Sequence, residues 1–455
     1  MPKVRSVIFI VLSITILFFD FYSDSLRVAG EYFSDPHQIT LESFIIGRIV
    51  KSSRDGVFSA GGLTGLVGPE ATPPNTESPN YRFQSQAYLN SLPFQTYSIY
   101  KSQIGAQGMI FGSLNGILPF PPADKLSIFH AIASLASALM LSLIIFWFYR
   151  EFGTTVGVVV LAGTALSQWL VVFAHSLWWS TWAFYLPMAA VMFYVCRPQA
   201  AGNFSFLKFG ALAFIAVMGK CFFNGYEYIT TALVMMVVPF LYACVREQTG
   251  LRFFLKGLAT AVVASCLAIL GSMTILCFQI SVVEGSLLTG VDHILFSLLG
   301  RTYANPQDFP AGYTAGLQAN PIDVVASYLR GIYLDLNHYV RVPSDFATNF
   351  FFQTRYLYLI LLFAASSVLL LYLVRNASVE TRRRALALAA AMGFSILAPL
   401  SWLIIFKAHS YVHTFMNNIV WQMPFTMYGF AVCGLALVKT LEVLKTFRAS
   451  AERRG

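Results

Sequence analysis

Between Gly257 and Ile280 the chain runs without one charged residue, and so it does from Tyr356 to Val374 and from Ala385 to Phe406. Each run is long enough for an α-helix to cross a bilayer, whose hydrocarbon core takes about 20 apolar residues. Backbone N–H and C=O groups find no water there, so such runs are confined to helices. At 455 residues, 57% hydrophobic and 11% charged, the chain reads as an all-α polytopic membrane protein. Further spans are expected at 6–22, 126–148, 154–174, 177–195, 206–218, 228–245 and 418–438. That makes about ten transmembrane helices. The first run has no small-residue cleavage site and passes directly into Asp20 and Asp24, so it is expected to stay as a span.

Two polar segments are too long to be simple connections. The expected layout is a first span at 1–22, an outer segment with amphipathic surface helices at 23–125 and a bundle at 126–280. A second outer segment at 281–355, a bundle at 356–438 and a basic tail at 439–455 follow. If the N-terminus is cytoplasmic, seventeen basic and only five acidic residues fall on that side. The positive-inside tendency therefore puts both termini in the cytoplasm and both long segments outside. The formal charge of +9 is explained by that sorting, and no nucleic-acid partner is expected. The glycosylation sequons at Asn203 and Asn376 land on the inner side, which fits a bacterial inner membrane. All six cysteines lie in or at the ends of apolar runs, so no disulfide framework is signalled.

The stretch 35–59 is the most clearly patterned polar helix. Thr40 can cap it, Leu41, Phe44, Ile45 and Ile49 recur at helical spacing, Glu42, Arg48 and Lys51 sit elsewhere on the wheel, and Arg54-Asp55-Gly56 stops it. This predicts a helix on the membrane surface with Glu42 in its first turn. A fixed carboxylate there can take the proton of an attacking hydroxyl, which makes Glu42 the candidate base and Asp20, Asp24, Asp35 and Asp55 its competitors. The plainer account is a helix start that favours an acid.

Lys220, in M-G-K-C-F-F-N-G-Y-E-Y, and Lys407, His409 and His413, in K-A-H-S-Y-V-H, stand at the expected outer ends of spans. Lysines there run against the positive-inside tendency, and all four can bind phosphate oxygens. Snorkelling lysines among interfacial aromatics are the alternative. His409 and His413 share a helix face, but no third ligand lies nearby in sequence, so a divalent metal is not signalled and no cofactor is expected. Arg301, in R-T-Y of the second outer segment, is a further phosphate-binding candidate. His175-Ser-Leu-Trp-Trp179 reads as an interfacial aromatic anchor. Nucleophile motifs, a P-loop and a dinucleotide fingerprint do not occur.

An inner N-terminus, one span, and a large outer segment whose surface helix begins with an acid, followed by a bundle, resembles the GT-C superfamily of membrane glycosyltransferases. Glu42 through Arg54-Asp55-Gly56 looks like a shortened form of the acidic amphipathic helix of the lipid A aminoarabinose transferases. It carries a lone Glu42 where those enzymes often show an acidic pair. The resemblance implies a GT-C-like fold and a polyprenyl-phosphate or diphosphate sugar donor in contact with membrane lipids. It also implies a glycan or lipid acceptor and inversion at the anomeric carbon, with Glu42 as base and Lys220, Lys407, His409 and His413 on the donor phosphate. An O-antigen polymerase or ligase would use similar groups with its main outer segment later in the chain. A lipid-linked-sugar flippase or transporter would need a polar path at mid-membrane.

Overall fold

Phe9, Ser13, Leu17 and Phe21 are buried, while Val4, Val7, Ile8, Val11 and Leu12 face outward. This single stripe lays helix α1 (Pro2–Ser23) along the helix Pro122–Phe152 and leaves its other side for lipid. The computed structural model describes residues 2–34, 36–69, 81–196, 204–339, 352–414 and 416–452.

The first polar segment folds into a small layer of its own. Helix α2 (Pro36–Asp55) buries Ile45, Ile46, Ile49 and Val50. Strand β1 (Gly65–Gly68), helix α3 (Tyr81–Leu89), strand β2 (Thr96–Ile99) and helix α4 (Ala106–Ile117) follow. The strands pair antiparallel, Gly65 opposite Ile99, and Gln84 of α3 exchanges two 2.8 Å hydrogen bonds with the Val67 backbone. Arg48, expected on the polar side of α2, is instead fully buried, donating to the carbonyls of Gly56, Val57 and Ser59 in the loop that follows the helix. Those carbonyls give the guanidinium what water would otherwise supply. α2 is thus packed between α3 and α4. Gly112 permits the close approach of α4, for a Cβ there would lie 2.7 Å from Ser52 Oγ.

The bundle continues with α5 (Pro122–Phe152), α6 (Thr154–Ala165), α7 (Gln168–His175) and α8 (Thr181–Val195). It goes on through α9 (Phe206–Asn224), α10 (Ile229–Glu247) and α11 (Leu251–Glu284). Ala261, Ala264, Ala268 and Ser272 form the buried face of α11, which packs on α9. Small side chains let two membrane helices approach closely. The second polar segment gives α12 (Leu287–Arg301), α13 (Ala311–Gln318) and α14 (Pro321–Leu329). Strand β3 (Ile332–Asp335) pairs antiparallel with β4 (Gln353–Arg355). Helices α15 (Tyr356–Leu373), α16 (Val379–Ser395), α17 (Leu397–Ile405), α18 (Lys407–Val412) and α19 (Phe425–Glu452) complete the chain.

Each of the ten expected spans contains α-helix, though that expected at 418–438 begins only at Phe425, and among the described residues eight helices are long and apolar enough to cross a membrane. A ninth span arises if α6 and α7 count as one, bent by 68° where Ser167 caps α7 by accepting from Leu170 N. The stretch expected at 177–195 shortens to the 15 residues of α8, about 22 Å of helix against a core of about 30 Å. The protein is an integral membrane protein by these helices. Both polar segments gather at one end of the bundle, where α1, α9 and α11 finish and α5 and α10 begin. Gln279 of α11 donates to Gly61 O there at 2.9 Å, and Arg301 reaches Tyr100 across the two segments at 3.4 Å. At the opposite end Glu151 accepts from Tyr242 (2.7 Å) and pairs with Arg246 (3.2 Å).

Candidate functional site

An ionised carboxylate taken out of water needs a cation, and the short turn between α9 and α10 carries one such group, Glu227. The turn is closely specified. Gly225 has φ +52°, and a Cβ there would stand 2.7 Å from the Gln103 Cβ. Asn224 Oδ1 accepts from Ser180 N (3.0 Å) while its Nδ2 donates to Ser180 O (2.9 Å). Lys220, fully buried, donates to Gly225 O (2.8 Å) and Glu227 O (2.5 Å).

Glu227 Oε1 accepts from Arg301 Nη1 at 2.7 Å. Its Oε2 lies 3.3 Å from His409 Nε2 but, among the described residues, receives no hydrogen bond. His409 and His413 stand together, ring centroids 4.7 Å apart, and Trp402 meets His409 edge-on. Lys407 fixes the short helix that bears His409 and ends just before His413 by donating to Leu317 O and Ala319 O, both at 2.7 Å, and the Tyr328 hydroxyl donates to Ser410 O at 2.7 Å. Burial alone would push the Glu227 carboxyl up. The charges of Arg301, His409 and His413 overcome it and hold the group well below the usual carboxylate range. Burial likewise disfavours charge on Arg301, and Glu227 more than offsets it.

These groups open on a cavity of about 290 Å³, walled by Glu227, Arg301, His409, His413, Tyr100 and Trp178. A second cavity of about 200 Å³ adjoins it, its surface mostly apolar, with Ile229, Ile269, Met273, Leu276 and Ile294 from α10, α11 and α12 on its wall and Lys101 and His293 among the polar groups that also line it. Arg301 lines both. The arrangement can hold an amphiphile, with an anion on Arg301 and the histidines and a hydrocarbon chain in the apolar space.

Arg301, His409 and His413, three of the groups expected to meet phosphate, therefore converge. Lys220 and Lys407 do not join them. Their ammonium groups are taken up by backbone carbonyls, and they act by fixing the turn with Glu227 and the helix with His409. Nor does Glu42 line either cavity. Its Oε1 accepts from Leu177 N at 2.8 Å and lies 3.8 Å from His130 Nδ1. His130 stacks on His175 at 4.3 Å. Asp20 and Asp24 shape the turn after α1, accepting from Leu26 N and from Ala29 N and Gly30 N. Asp55 is clamped on the surface by Arg54 and Lys51, which hold its carboxyl well below the usual range. Asp35 lies outside the described residues, as does the sequon at Asn203. Trp178 and Trp179, expected as interfacial anchors, are buried in an aromatic cluster with Phe173 and Tyr228. Among the described residues no group of three or more His, Cys, Asp or Glu is placed to hold a metal ion.

Sequence reasoning missed Glu227, although it stood two residues after Gly225 in the stretch scanned for lysines. The available signal was an acid confined to a turn of four residues between two spans, where only a partner from a distant segment makes an ionised carboxylate tolerable. No protein-family model, curated protein or solved structure matches the chain.

Proposed function

We propose that the protein is a membrane glycosyltransferase that takes a sugar from a polyprenyl-phosphate or -diphosphate donor and passes it to a hydroxyl of a glycan or lipid. Arg301, His409 and His413 receive the donor phosphate, and the apolar cavity receives the isoprenoid units next to it. One observation carries this reading: a single arginine belongs both to a polar cavity and to an apolar one between membrane helices. A guanidinium is suited to phosphate oxygens because its fork of donors matches them. In a site partly shielded from water, neutralising the departing phosphate is the larger electrostatic task, and three donors already face it. On the same reading the site end of the bundle faces away from the cytoplasm, the basic end and both termini face the cytoplasm, and the membrane is a bacterial inner membrane.

Binding and turnover test the proposal. Protein in nanodiscs is expected to bind farnesyl phosphate at least about tenfold more tightly than farnesol, and Arg301→Gln is expected to abolish that preference. A host strain lacking the protein is expected to accumulate a lipid-linked sugar, and the Arg301→Gln variant not to relieve it. Equal binding of alcohol and phosphate, or an unchanged lipid-linked sugar pool, would sink the reading. Movement of the intact lipid-linked sugar across vesicles without loss of the sugar would mark a flippase, and transfer of a whole oligosaccharide a polymerase or ligase.

A further inference from the structure

The Glu227–Arg301 pair has a feature that a purely structural ion pair lacks. It borders an open cavity, and one carboxylate oxygen, Oε2, meets His409 Nε2 at 3.3 Å without a well-formed hydrogen bond among the described residues, in a residue that is only 8% exposed. The neighbouring charges offset part of the roughly 1–3 kcal/mol that a buried acceptor without a hydrogen bond costs, and the position left open points to a ligand that brings a donor. A hydroxyl does so. The second oxygen is held by the guanidinium that the donor phosphate would also seek.

Resting on the reading of this cavity as a lipid-phosphate site, we infer that Glu227 is the group that takes the acceptor's proton, and that Arg301 withholds it until a donor phosphate arrives. In the empty site Arg301 keeps the carboxylate too weakly basic to accept a proton. A bound phosphate draws Arg301 onto its own oxygens. Glu227 is then left with its burial, which favours the protonated form, and with a new anion beside it, which does the same. In the transfer the acceptor oxygen bonds to the anomeric carbon and the carbon–oxygen bond to phosphate breaks. Its electron pair leaves on the phosphate oxygen held by Arg301, and the hydroxyl proton passes to Glu227 Oε2. The histidines stay on the phosphate side of the cavity, His409 3.3 Å from the carboxylate. The base is thus strong only in the ternary complex, which disfavours attack before the donor is seated.

The charged and titratable groups facing Glu227 are Arg301 from α12, Lys220 from α9, His409 from α18 and His413 just past the end of α18, with the Tyr228 hydroxyl beside it on its own turn. A suitable probe is farnesyl methyl phosphate, a diester whose single charge does not titrate near neutrality. Calorimetry on the wild-type protein in nanodiscs, repeated in two buffers of different ionisation enthalpy, is expected to show uptake of part of a proton on binding, the carboxylate being drawn towards the working pH while enough of it stays ionised to act as base. Glu227→Gln is expected to bind the probe roughly tenfold more tightly, because a neutral amide competes less for Arg301, and to take up no proton. Transfer by that variant is expected to fall at least about a hundredfold, the lower range for loss of a general base. Wild-type binding without proton uptake, or an affinity of Glu227→Gln equal to or below wild type, would overturn the inference and leave the lipid-phosphate site standing. Failure of the wild-type protein to bind the probe would remove that site as well. Uptake that persists undiminished in Glu227→Gln would belong to His409 and His413 and would also overturn the inference, while absence of uptake needs only the wild-type chain to be seen.

Discussion

Two carboxylates at the same end of the bundle each lie beside a histidine, and they are held in opposite ways. Glu42 accepts a backbone N–H from Leu177 and keeps 3.8 Å from His130, whose own Nδ1 is 3.0 Å from His175 O. It faces stacked imidazoles and lines neither cavity. Glu227 faces a guanidinium and an imidazole, borders the larger cavity and keeps one oxygen in reserve. A backbone N–H cannot leave its carboxylate without unfolding a turn, whereas a side-chain guanidinium can exchange one oxyanion for another. The carboxylate with the exchangeable partner is the better candidate for chemistry, even though its neighbour sits in the more suggestive stretch of sequence.

The largest effect should come from breaking the exchangeable pair. Arg301→Met leaves Glu227 buried without its cation, and losing one partner of a buried pair costs about 3–5 kcal/mol. Adding Glu227→Met should recover most of that, since two apolar side chains then replace two charges. Thermal unfolding in detergent reads both. A double variant no more stable than Arg301→Met would mean that the two residues are not an energetic unit. A smaller effect follows from pH. The folded-state pKa of Glu227 is lowered, so the stability it contributes is fully present above the unfolded value near about 4.3 and is lost as pH falls through the folded value. The gap in unfolding temperature between wild type and Glu227→Gln should therefore be widest at neutral pH and close on acidification. A gap that widens with acid would reverse the assigned sign.

The membrane class was legible because uncharged runs of membrane length admit few alternatives. Runs 257–280 and 356–374 both became long helices. The break between α6 and α7 was harder to see, since Ser167 and Gln168 are only two polar residues in an apolar stretch and their effect depends on a local cap. The site was legible in part. His409 and His413 share a face by spacing alone and do meet the cavity, and Arg301 was found as a loop cation. Lys220 drew attention as an ammonium at a span end, yet whether such a group meets a ligand or the chain's own carbonyls depends on a turn five to seven residues further on. Glu227 depends on a partner 74 residues away in sequence, and periodicity carries no information at that range. Arg48 was misread for a similar reason: a helical wheel shows which way a side chain leaves the helix and not that a following loop will fold back over it.

The smallest effect should come from Glu42→Gln, and for that reason it is the sharpest check on the contrast. The amide oxygen of Gln can still accept from Leu177 N, so the 2.8 Å hydrogen bond of Glu42 survives. What is lost is a negative charge 3.8 Å from His130, at a side chain about 15% exposed. A contact of that kind, longer than a hydrogen bond and an ion pair only when His130 is protonated, is worth less than the 2.7 Å Glu227–Arg301 pair. The variant should therefore unfold within a few degrees of wild type, and its affinity for farnesyl methyl phosphate should stay within about twofold. Glu227→Gln should shift the same affinity roughly tenfold in the tighter direction. Both substitutions remove one negative charge from a Glu beside a histidine at one end of the bundle, so a nonspecific electrostatic effect would move both affinities alike. A tenfold loss of affinity on Glu42→Gln, with Glu227→Gln near wild type, would exchange the roles of the two carboxylates and return the base to the helix Pro36–Asp55.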